Sequence, residues 1–225
     1  FNKYIIGETH EYAAAYKPNA AFYEARGDQG IRELKKTMEY LQSEYPSICT
    51  ILDAKRGDIG NTNGGYISSI FDWLGFDAVT LHPYMGRESL QPFLDRADKT
   101  SIILCRTSNP GSGEFQDLLL DGVPLWLHVA QSVAREWNAH GNCMLVVGAT
   151  YPDEMKRIRE AVGDMTFLVP GVGAQGGDVK AVVEVGQTQD GLGLIIAASR
   201  SIIFAEDPSA AARDLRDEIN RYRKS

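Results

Sequence analysis

The chain has 225 residues, of which 44% are hydrophobic and 9% aromatic, so it can bury one sizeable core, and we expect a single domain over residues 1–225. Its 23 basic and 30 acidic residues give a formal net charge of −7 at pH 7, and no Lys/Arg cluster stands out, which argues against a nucleic-acid-binding protein. The sequence has neither a long apolar run nor a signal-peptide pattern, so we expect a cytoplasmic protein without a membrane span.

The number and positions of the cysteines agree with a location in the reducing cytoplasm. Cys49, Cys105 and Cys143 each lie in or beside an apolar, strand-like run. Their number and spacing suit neither a metal site nor a disulfide framework, so we expect three reduced thiols in the core.

Strands and helices alternate along the chain. The first predicted strand ends at Lys17, because Pro18 holds Lys17 extended and stops the strand. Six further strands are predicted at 47–52, 78–81, 101–106, 143–149, 166–169 and 194–198. Helices are predicted at 1–12, up to 45, at 61–74, 86–97, 126–137 and 152–162, up to 186, and after the capping pair Asp207-Pro208. Residues 107–113 are predicted to form a loop, because most of them are turn formers.

Seven mostly apolar strands, each followed by a helix, indicate an α/β protein with a parallel sheet covered on both faces. A (β/α)8 TIM barrel has eight such strands and typically about 250 residues, so we infer this barrel with its first strand absent from the 225 residues. In such barrels the active site lies at the C-terminal ends of the strands, and the loops after the last two strands often bind phosphate.

Those two loops have a composition that suits a phosphate. After the strand at 166–169, Gly171, Gly173, Gly176 and Gly177 leave backbone N–H groups free to approach an anion. After the last strand comes Arg200, whose guanidinium can make a forked contact with phosphate. Turn chemistry and a surface salt bridge are the alternatives, but both features occur in the expected loops, which favours phosphate binding.

Gly171-x-Gly173-x-x-Gly176 also matches the dinucleotide-binding fingerprint. The match lies late in the chain, and Ser199 and Arg200 stand after the next strand instead of an acidic residue for a ribose hydroxyl, although an arginine suits a 2′-phosphate. This context disfavours an oxidoreductase with a nucleotide cofactor.

The stretch ILDAKRGDIGNT at 51–62 carries the most informative charges. Strand side chains alternate between faces, so Asp53 and Lys55 are predicted to point the same way. Gly57 is predicted to end the strand, and a helical turn after it would place Asp58 and Thr62 on one face.

Together with Lys17, these residues would form a network in which each charge is flanked by opposite ones, which keeps the lysines protonated and the aspartates ionised. An internal Asp53–Lys55 ion pair and a helix N-cap at Asp58 are the alternative explanation without a functional site.

The segment Asp53-Ala54-Lys55-Arg56-Gly57-Asp58 resembles the Asp-x-Lys-x-x-Asp motif of orotidine 5′-phosphate decarboxylases, especially the bacterial branch that reads DAKRGDIG. Further segments resemble that branch in the same order: YKP at 16–18, RTSNPG at 106–111, VPGVGAQGGD at 169–178 and SR at 199–200. The resemblance covers essentially the whole chain. In the family the first strand carries an aspartate that touches the ribose, and no residue here can be assigned to it.

The resemblance implies decarboxylation of orotidine 5′-monophosphate to uridine 5′-monophosphate in pyrimidine synthesis, without cofactor or metal. It implies that Lys55 is the general acid that protonates C6, that Asp53 sits beside the substrate carboxylate, and that Lys17 and Asp53 hold Lys55. Asp58 and Thr62 are implied to reach the active site of the partner subunit in a homodimer.

Substrate contacts follow from the same resemblance. It implies that Ser108 contacts the pyrimidine and that Gln175 bridges base and phosphate. It also implies that Arg200 binds the phosphate with nearby backbone, including Gly173.

Two other functions remain open. A magnesium-dependent sugar-phosphate decarboxylase or aldolase of the same superfamily shares the Asp-x-Lys-x-x-Asp motif, but it uses an acidic residue on the second strand, where this chain has Lys17, and a cation repels a metal ion. A barrel that binds phosphate without turnover would be favoured only if Phe1 were the true N-terminus.

Overall fold

The computed structural model describes residues 1–172 and 177–224. The chain divides into two units, Phe1–Ser101 and Ile102–Ser225, called here the N-terminal and C-terminal units. The single-domain organisation expected from the sequence stays a prediction.

The N-terminal unit alternates short parallel strands with helices. Its elements are α1 (Asn2–Thr9), β1 (Ala15–Tyr16), α2 (Ala20–Glu24), α3 (Gly27–Glu44), β2 (Cys49–Arg56), α4 (Gly60–Ile67) with a π-helical continuation (Ser68–Leu74), β3 (Ala78–Leu81), α5 (Gly86–Leu94) and the start of β4 (Thr100–Arg106). Within this unit β2 lies between β1 and β3, and both pairs are parallel.

Helix α3 shows how the sequence builds this core. Leu34, Met38 and Leu41 recur at helical spacing and are almost completely buried, as are Ile51 on β2 and Leu81 on β3. The predicted single helix up to residue 45 is wrong in one respect, because the chain forms α2 and α3 in its place. Gly27, which begins α3, has a left-handed φ of 60°, and this conformation interrupts a continuous helix.

The C-terminal unit continues the alternation. After β4 come a 3-10 turn (Pro110–Ser112), α6 (Gly113–Gln116), β5 (Leu119–Leu120), β6 (Val123–Pro124), α7 (Leu125–Ser132) with a π-helical continuation (Val133–Trp137), β7 (Cys143–Val147), α8 (Pro152–Val162), β8 (Phe167–Pro170), α9 (Val179–Gly186), β9 (Leu194–Ala197), α10 (Arg200–Ile203) and α11 (Pro208–Tyr222). Within this unit the main strands follow the order β4-β7-β8-β9, and β8 pairs in parallel with both β7 and β9.

Several predictions in this unit are confirmed. The helix predicted at 126–137 is formed by α7 and its continuation, on which Trp126, Ala130 and Val133 are buried. The side chain of Asp207 caps α11 by accepting a hydrogen bond from the Ala210 N–H at 2.9 Å. The predicted loop 107–113 is partly wrong, because residues 110–112 form a 3-10 turn and α6 begins at Gly113.

The cysteines are free thiols, as predicted. Cys105 and Cys143 are buried, and Cys49 is half-buried. Burial raises the pKa of Cys105 to about 12 and that of Cys143 to about 11, so both stay protonated at neutral pH.

Candidate active site

Asp53 lies at the centre of a group of polar side chains in the N-terminal unit. Its Oδ2 is 3.0 Å from Lys17 Nζ, and its Oδ1 is 2.6 Å from Lys55 Nζ. Asn19 Nδ2 donates a longer hydrogen bond to Oδ2 at 3.4 Å. The structure therefore brings together three of the predicted site residues, Lys17, Asp53 and Lys55.

The backbone brings Lys17 to this group. β1 ends at Tyr16, one residue before the predicted end at Lys17, so Lys17 directly follows the strand, and β1 pairs in parallel with β2. The pairing extends beyond β1, because the Asp53 N–H donates to the Pro18 carbonyl at 3.0 Å and Asn19 forms a β-bridge with Asp53. The ends of two neighbouring strands thus hold the cation beside the carboxylate.

Two opposing influences act on the carboxyl group of Asp53. Burial raises the pKa of Asp53, whose side chain is only 13% exposed. The charge of Lys17 and the hydrogen bonds from Lys55 and Lys17 lower it, and together they prevail. The pKa of Asp53 lies below its ordinary value, so the group is a carboxylate at neutral pH.

The two lysines differ in exposure. The Lys17 side chain is 18% exposed, whereas that of Lys55 is 51% exposed. An ammonium that is anchored by one carboxylate and still half-exposed can donate a proton to a bound molecule. Lys17 is better placed to neutralise Asp53.

Asp53 and Lys55 meet, but regular strand alternation is not the cause, and that part of the prediction is wrong. β2 and β3 pair at Leu52 with Val79 and next at Arg56 with Leu81, so on the β3 side residues 53–55 stand opposite Thr80 alone. Lys55 has a φ of 49°, in the left-handed region, which costs a non-glycine residue about 1–2 kcal/mol. A β-bulge at residues 53–55 therefore directs the Lys55 side chain toward Asp53.

Asp58 lies outside this group, and the predicted helical turn shared by Asp58 and Thr62 is wrong. Helix α4 begins at Gly60 with Ile59 as its N-cap, so Asp58 precedes the helix and does not cap it. The buried Asn63 side chain accepts a hydrogen bond from the Asp58 N–H at 3.0 Å and donates to the Asp58 carbonyl, which holds Asp58 outside the helix.

In the part of the chain that the structure describes, neither Asp58 nor Thr62 is hydrogen-bonded or ion-paired to Lys17 or Lys55. Across residues 1–172 and 177–224, Asp58 forms no ion pair, and its Oδ1 accepts a hydrogen bond from the Ile59 N–H at 2.7 Å. Thr62 is exposed on the first turn of α4.

His82, which follows β3 directly, contacts the end of the DAKRGD segment. Its Nε2 lies 2.9 Å from the Gly57 carbonyl oxygen. A Cβ atom on Gly57 would lie 2.8 Å from the same nitrogen, so any larger residue would displace the ring.

Ser108 follows β4 in the C-terminal unit, in a segment that the buried Arg106 holds. Arg106 is 2% exposed, and its Nη1 donates to Ser112 Oγ at 3.1 Å. Its Nη2 lies 3.3 Å from Asp117 Oδ1 and 3.8 Å from Glu154 Oε1. The guanidinium thus connects β4, the loop after it and α8.

Gly148 packs against Ser108, and only a residue without a side chain fits there. The Gly148 N–H donates to the Arg106 carbonyl at 2.7 Å. A Cβ at position 148 would lie 2.9 Å from both the backbone nitrogen and the Cβ of Ser108, which are distances that real side chains do not adopt. Gly148 was not singled out in the sequence.

Of the predicted phosphate-binding residues, Gly171, Gly177 and Arg200 are placed by the structure. The Gly177 N–H donates a hydrogen bond to the Gly171 carbonyl at 3.2 Å, so the prediction that this N–H is free to approach an anion is wrong. Arg200 is the first residue of α10, directly after the β9 loop, and it is exposed. It makes no ion pair with any residue that the structure describes. Gly173, Gln175 and Gly176 lie outside the described residues.

Within the described ranges, no group of three or more His, Cys, Asp or Glu side chains is arranged to hold a metal ion. The same residues include no helix of the length and apolar character that crossing a membrane requires.

Comparison with known proteins assigns the chain to a family. The model of the orotidine 5′-phosphate decarboxylase / HUMPS family matches residues 2–215. An orotidine 5′-phosphate decarboxylase from Cellvibrio japonicus is 49% identical over 98% of this chain and 82% of its own length, and one from Herpetosiphon aurantiacus is 52% identical over 96% and 79%. The solved structure of Leishmania donovani OMP decarboxylase superimposes with a TM-score of 0.93 at 44% identity, over 98% of this chain and 86% of the other.

These matches confirm the predicted fold class, an α/β fold of the (β/α)8 TIM-barrel type. The chain belongs to the orotidine 5′-phosphate decarboxylase / HUMPS family. The carboxy-lyase class predicted from the sequence is confirmed by the same relatives.

Proposed function

We propose that this chain catalyses the decarboxylation of orotidine 5′-monophosphate to uridine 5′-monophosphate, a step of pyrimidine synthesis. The names of the matching relatives support this activity. The observation that carries its chemistry is the Asp53 carboxylate, held at 3.0 Å from the Lys17 ammonium and at 2.6 Å from the half-exposed Lys55 ammonium.

The reaction needs a proton donor at the carbon that loses carbon dioxide. When the bond between C6 and the carboxylate breaks, its electron pair stays on C6, and a neighbouring ammonium stabilises that charge. Lys55 then transfers its proton to C6, and the neutral amine regains a proton from solvent. Its anchored and half-exposed ammonium supports this role.

Asp53 and Lys17 act on Lys55 and on the reacting group. Asp53 sits beside the substrate carboxylate and fixes the Lys55 ammonium, and Lys17 offsets the charge of Asp53. The lowered pKa of Asp53 supports this assignment, because the residue stays ionised while its side chain is mostly buried.

The remaining predicted residues bind the rest of the substrate. Ser108 contacts the pyrimidine, Gln175 bridges base and phosphate, and Arg200 with the backbone near Gly173 binds the phosphate. The exposed guanidinium of Arg200, free of an ion pair among the described residues, supports its part.

Turnover requires no cofactor and no metal. Lys17, which stands where the magnesium-dependent sugar-phosphate enzymes carry an acidic residue, supports this proposal, because its ammonium lies 3.0 Å from Asp53 and would repel a divalent cation there.

The enzyme works as a homodimer in which Asp58 and Thr62 enter the site of the partner subunit. Asp58 forms no ion pair within the described part of its own chain, which leaves its carboxylate available to a partner. Ile59 is 58% exposed, and Tyr84, in the loop that begins at His82, is 90% exposed. Apolar exposure beside Asp58 supports burial by a second copy.

We further propose a cytoplasmic location. The three cysteines are free, as a reducing compartment requires.

Replacement of Lys55 tests the general acid. We expect Lys55→Ala to lower kcat by about 10²–10⁴-fold or more, while calorimetry shows that the variant still binds uridine 5′-monophosphate. Lys36→Ala, at an exposed position on α3, is the matched control and should keep the wild-type kcat. A Lys55→Ala enzyme with near-normal turnover would contradict the assignment.

Complementation tests the shared site. Lys55→Ala and Asp58→Ala subunits are each expected to be inactive, but a heterodimer carries both changes in one site and leaves the other intact. An equal mixture after subunit exchange should therefore recover roughly one quarter of the wild-type activity. An inactive mixture, with exchange demonstrated by mass spectrometry, would mean that Asp58 serves its own chain.

A further inference from the structure

The bulge that carries Lys55 depends on a single side chain of the neighbouring strand. Thr80 on β3 is 1% exposed and stands opposite residues 53–55. Its hydroxyl oxygen accepts hydrogen bonds from the backbone N–H groups of Ala54 at 3.0 Å and Lys55 at 2.9 Å. The hydroxyl also contacts Asp53 Oδ1 at 3.1 Å.

The direction of each of these hydrogen bonds is determined. A backbone N–H can only donate, so the two N–H groups occupy both acceptor positions of the hydroxyl. The hydroxyl proton is then left for Asp53, and an ionised carboxylate can only accept it. All three hydrogen-bonding positions of the Thr80 hydroxyl are therefore used within the segment 53–55.

These hydrogen bonds replace interstrand backbone hydrogen bonds that the bulge removes. In a regular parallel ladder the N–H groups of a strand alternate between its neighbours, but the register of β2 against β3 shifts between Leu52 and Arg56. The Thr80 hydroxyl satisfies two N–H groups in the shifted stretch, including that of Lys55 in its left-handed conformation. It holds the backbone of the lysine and the carboxylate of its anchor at once.

We infer that Thr80 is a positioning residue for decarboxylation, which acts by holding the Lys55 backbone and the Asp53 carboxylate in the arrangement that aims the Lys55 ammonium. The inference rests on the proposed role of Lys55. Two of the three bonds join Thr80 directly to Lys55 and Asp53, and the third holds Ala54 between them, so its effect is expected on the chemical step.

Thr80→Val tests this directly, because valine keeps the branched shape and loses the hydroxyl. Misplacement of a reacting group by about 1 Å can cost about 100-fold in rate, so we expect kcat to fall about 10- to 100-fold with KM changed less than about threefold. Thr80→Ser restores the hydroxyl and should recover most of kcat.

Thr50→Val is the matched control. Thr50 is a buried strand threonine of the same unit, 4% exposed, and its hydroxyl also makes two hydrogen bonds, to Asp77 Oδ2 at 2.7 Å and from the Asp77 N–H at 3.1 Å. Its loss should lower the urea midpoint about as much as Thr80→Val does and leave kcat unchanged. If Thr80→Val does not fold, Thr80→Cys, with a group of similar size that bonds only weakly, is measured against the same expectation.

The outcomes separate this inference from the role of Lys55. A wild-type kcat in Thr80→Val, or a loss that Thr80→Ser does not recover, overturns the positioning role while an inactive Lys55→Ala leaves the general acid in place. A fully active Lys55→Ala instead overturns the role of Lys55 and the inference with it.

Discussion

Asp53→Asn would remove the charge that holds the two lysines. Asparagine keeps the shape of the side chain and one acceptor oxygen, so the change isolates electrostatics from packing. The variant leaves the ammonium of Lys17 in a site that is only 18% exposed. We therefore expect a loss of both stability and activity.

The separations set the magnitude of the stability loss. At 3.0 and 2.6 Å and an effective dielectric constant of about 20, each ion pair has a gross Coulomb energy of about 6 kcal/mol. Most of this is offset by the dehydration of the charges, and Lys55 is half-exposed, so its share is screened by solvent. Removal of one partner of a buried pair costs about 3–5 kcal/mol, and for this partly exposed group we expect about 2–4 kcal/mol at pH 7.

The pH dependence of the unfolding free energy tests the same argument independently. Because the pKa of Asp53 is lower in the folded chain than its ordinary value, its contribution to stability is complete above about pH 4 and is lost as the pH falls through the folded pKa. The difference in unfolding free energy between the wild type and Asp53→Asn should therefore shrink as the pH is lowered below about 4.

Urea unfolding at several pH values measures both the loss of stability at pH 7 and its pH dependence. Asp28→Asn is the control, because the Arg32–Asp28 pair on α3 is 65% and 80% exposed, and loss of such a pair should cost under about 1 kcal/mol. Equal stability of Asp53→Asn and the wild type at pH 7, or a difference that stays constant down to pH 3, would refute the electrostatic argument.

Three further predictions follow from the site. Prolonged dialysis against EDTA should leave kcat unchanged, and a loss that magnesium restores would indicate the metal-dependent alternative. Arg200→Ala should lower kcat/KM by about 10- to 150-fold, the equivalent of a charged hydrogen bond worth about 1.5–3 kcal/mol, and it should weaken the binding of uridine 5′-monophosphate in calorimetry; unchanged binding would remove Arg200 from the phosphate site. Gly148→Ala should raise KM and lower stability by about 1–3 kcal/mol, because its Cβ would lie 2.9 Å from Ser108; a variant with unchanged KM would show that this contact does not position Ser108 for the substrate.

Local sequence signals were sufficient for much of the fold. Pro18 indicated the end of β1 to within one residue, and Asp207 capped α11 through a contact three residues away. The β5–β6 hairpin was missed although its turn, Asp121-Gly122, is a common hairpin sequence, and both residues have positive φ values of 52° and 79°. The Asp-Gly pair is therefore a local signal from which this hairpin is predictable.

The details around Lys55 could not be predicted in the same way. The register shift opposite Thr80 depends on hydrogen bonds between residues 25 and 26 positions apart. The start of α4 depends on Asn63, whose amide also donates to the Ser89 carbonyl 26 residues further along the chain. Periodicity describes regular elements, and it carries no information about which distant side chain will satisfy a displaced N–H group.

The irregular backbone between Asp53 and Asp58 is supported mainly by side chains that do not belong to the charged group. Thr80 holds the bulge, and His82 meets the Gly57 carbonyl at 2.9 Å. Thr80 and His82 lie in or just after β3, so this strand shapes the chemistry of β2 without supplying a charged residue. A regular strand would have fixed the direction of Lys55 by alternation alone, whereas the bulge makes that direction depend on a neighbour. The rate of the reaction should therefore be sensitive to changes in β3 that leave all the charges in place.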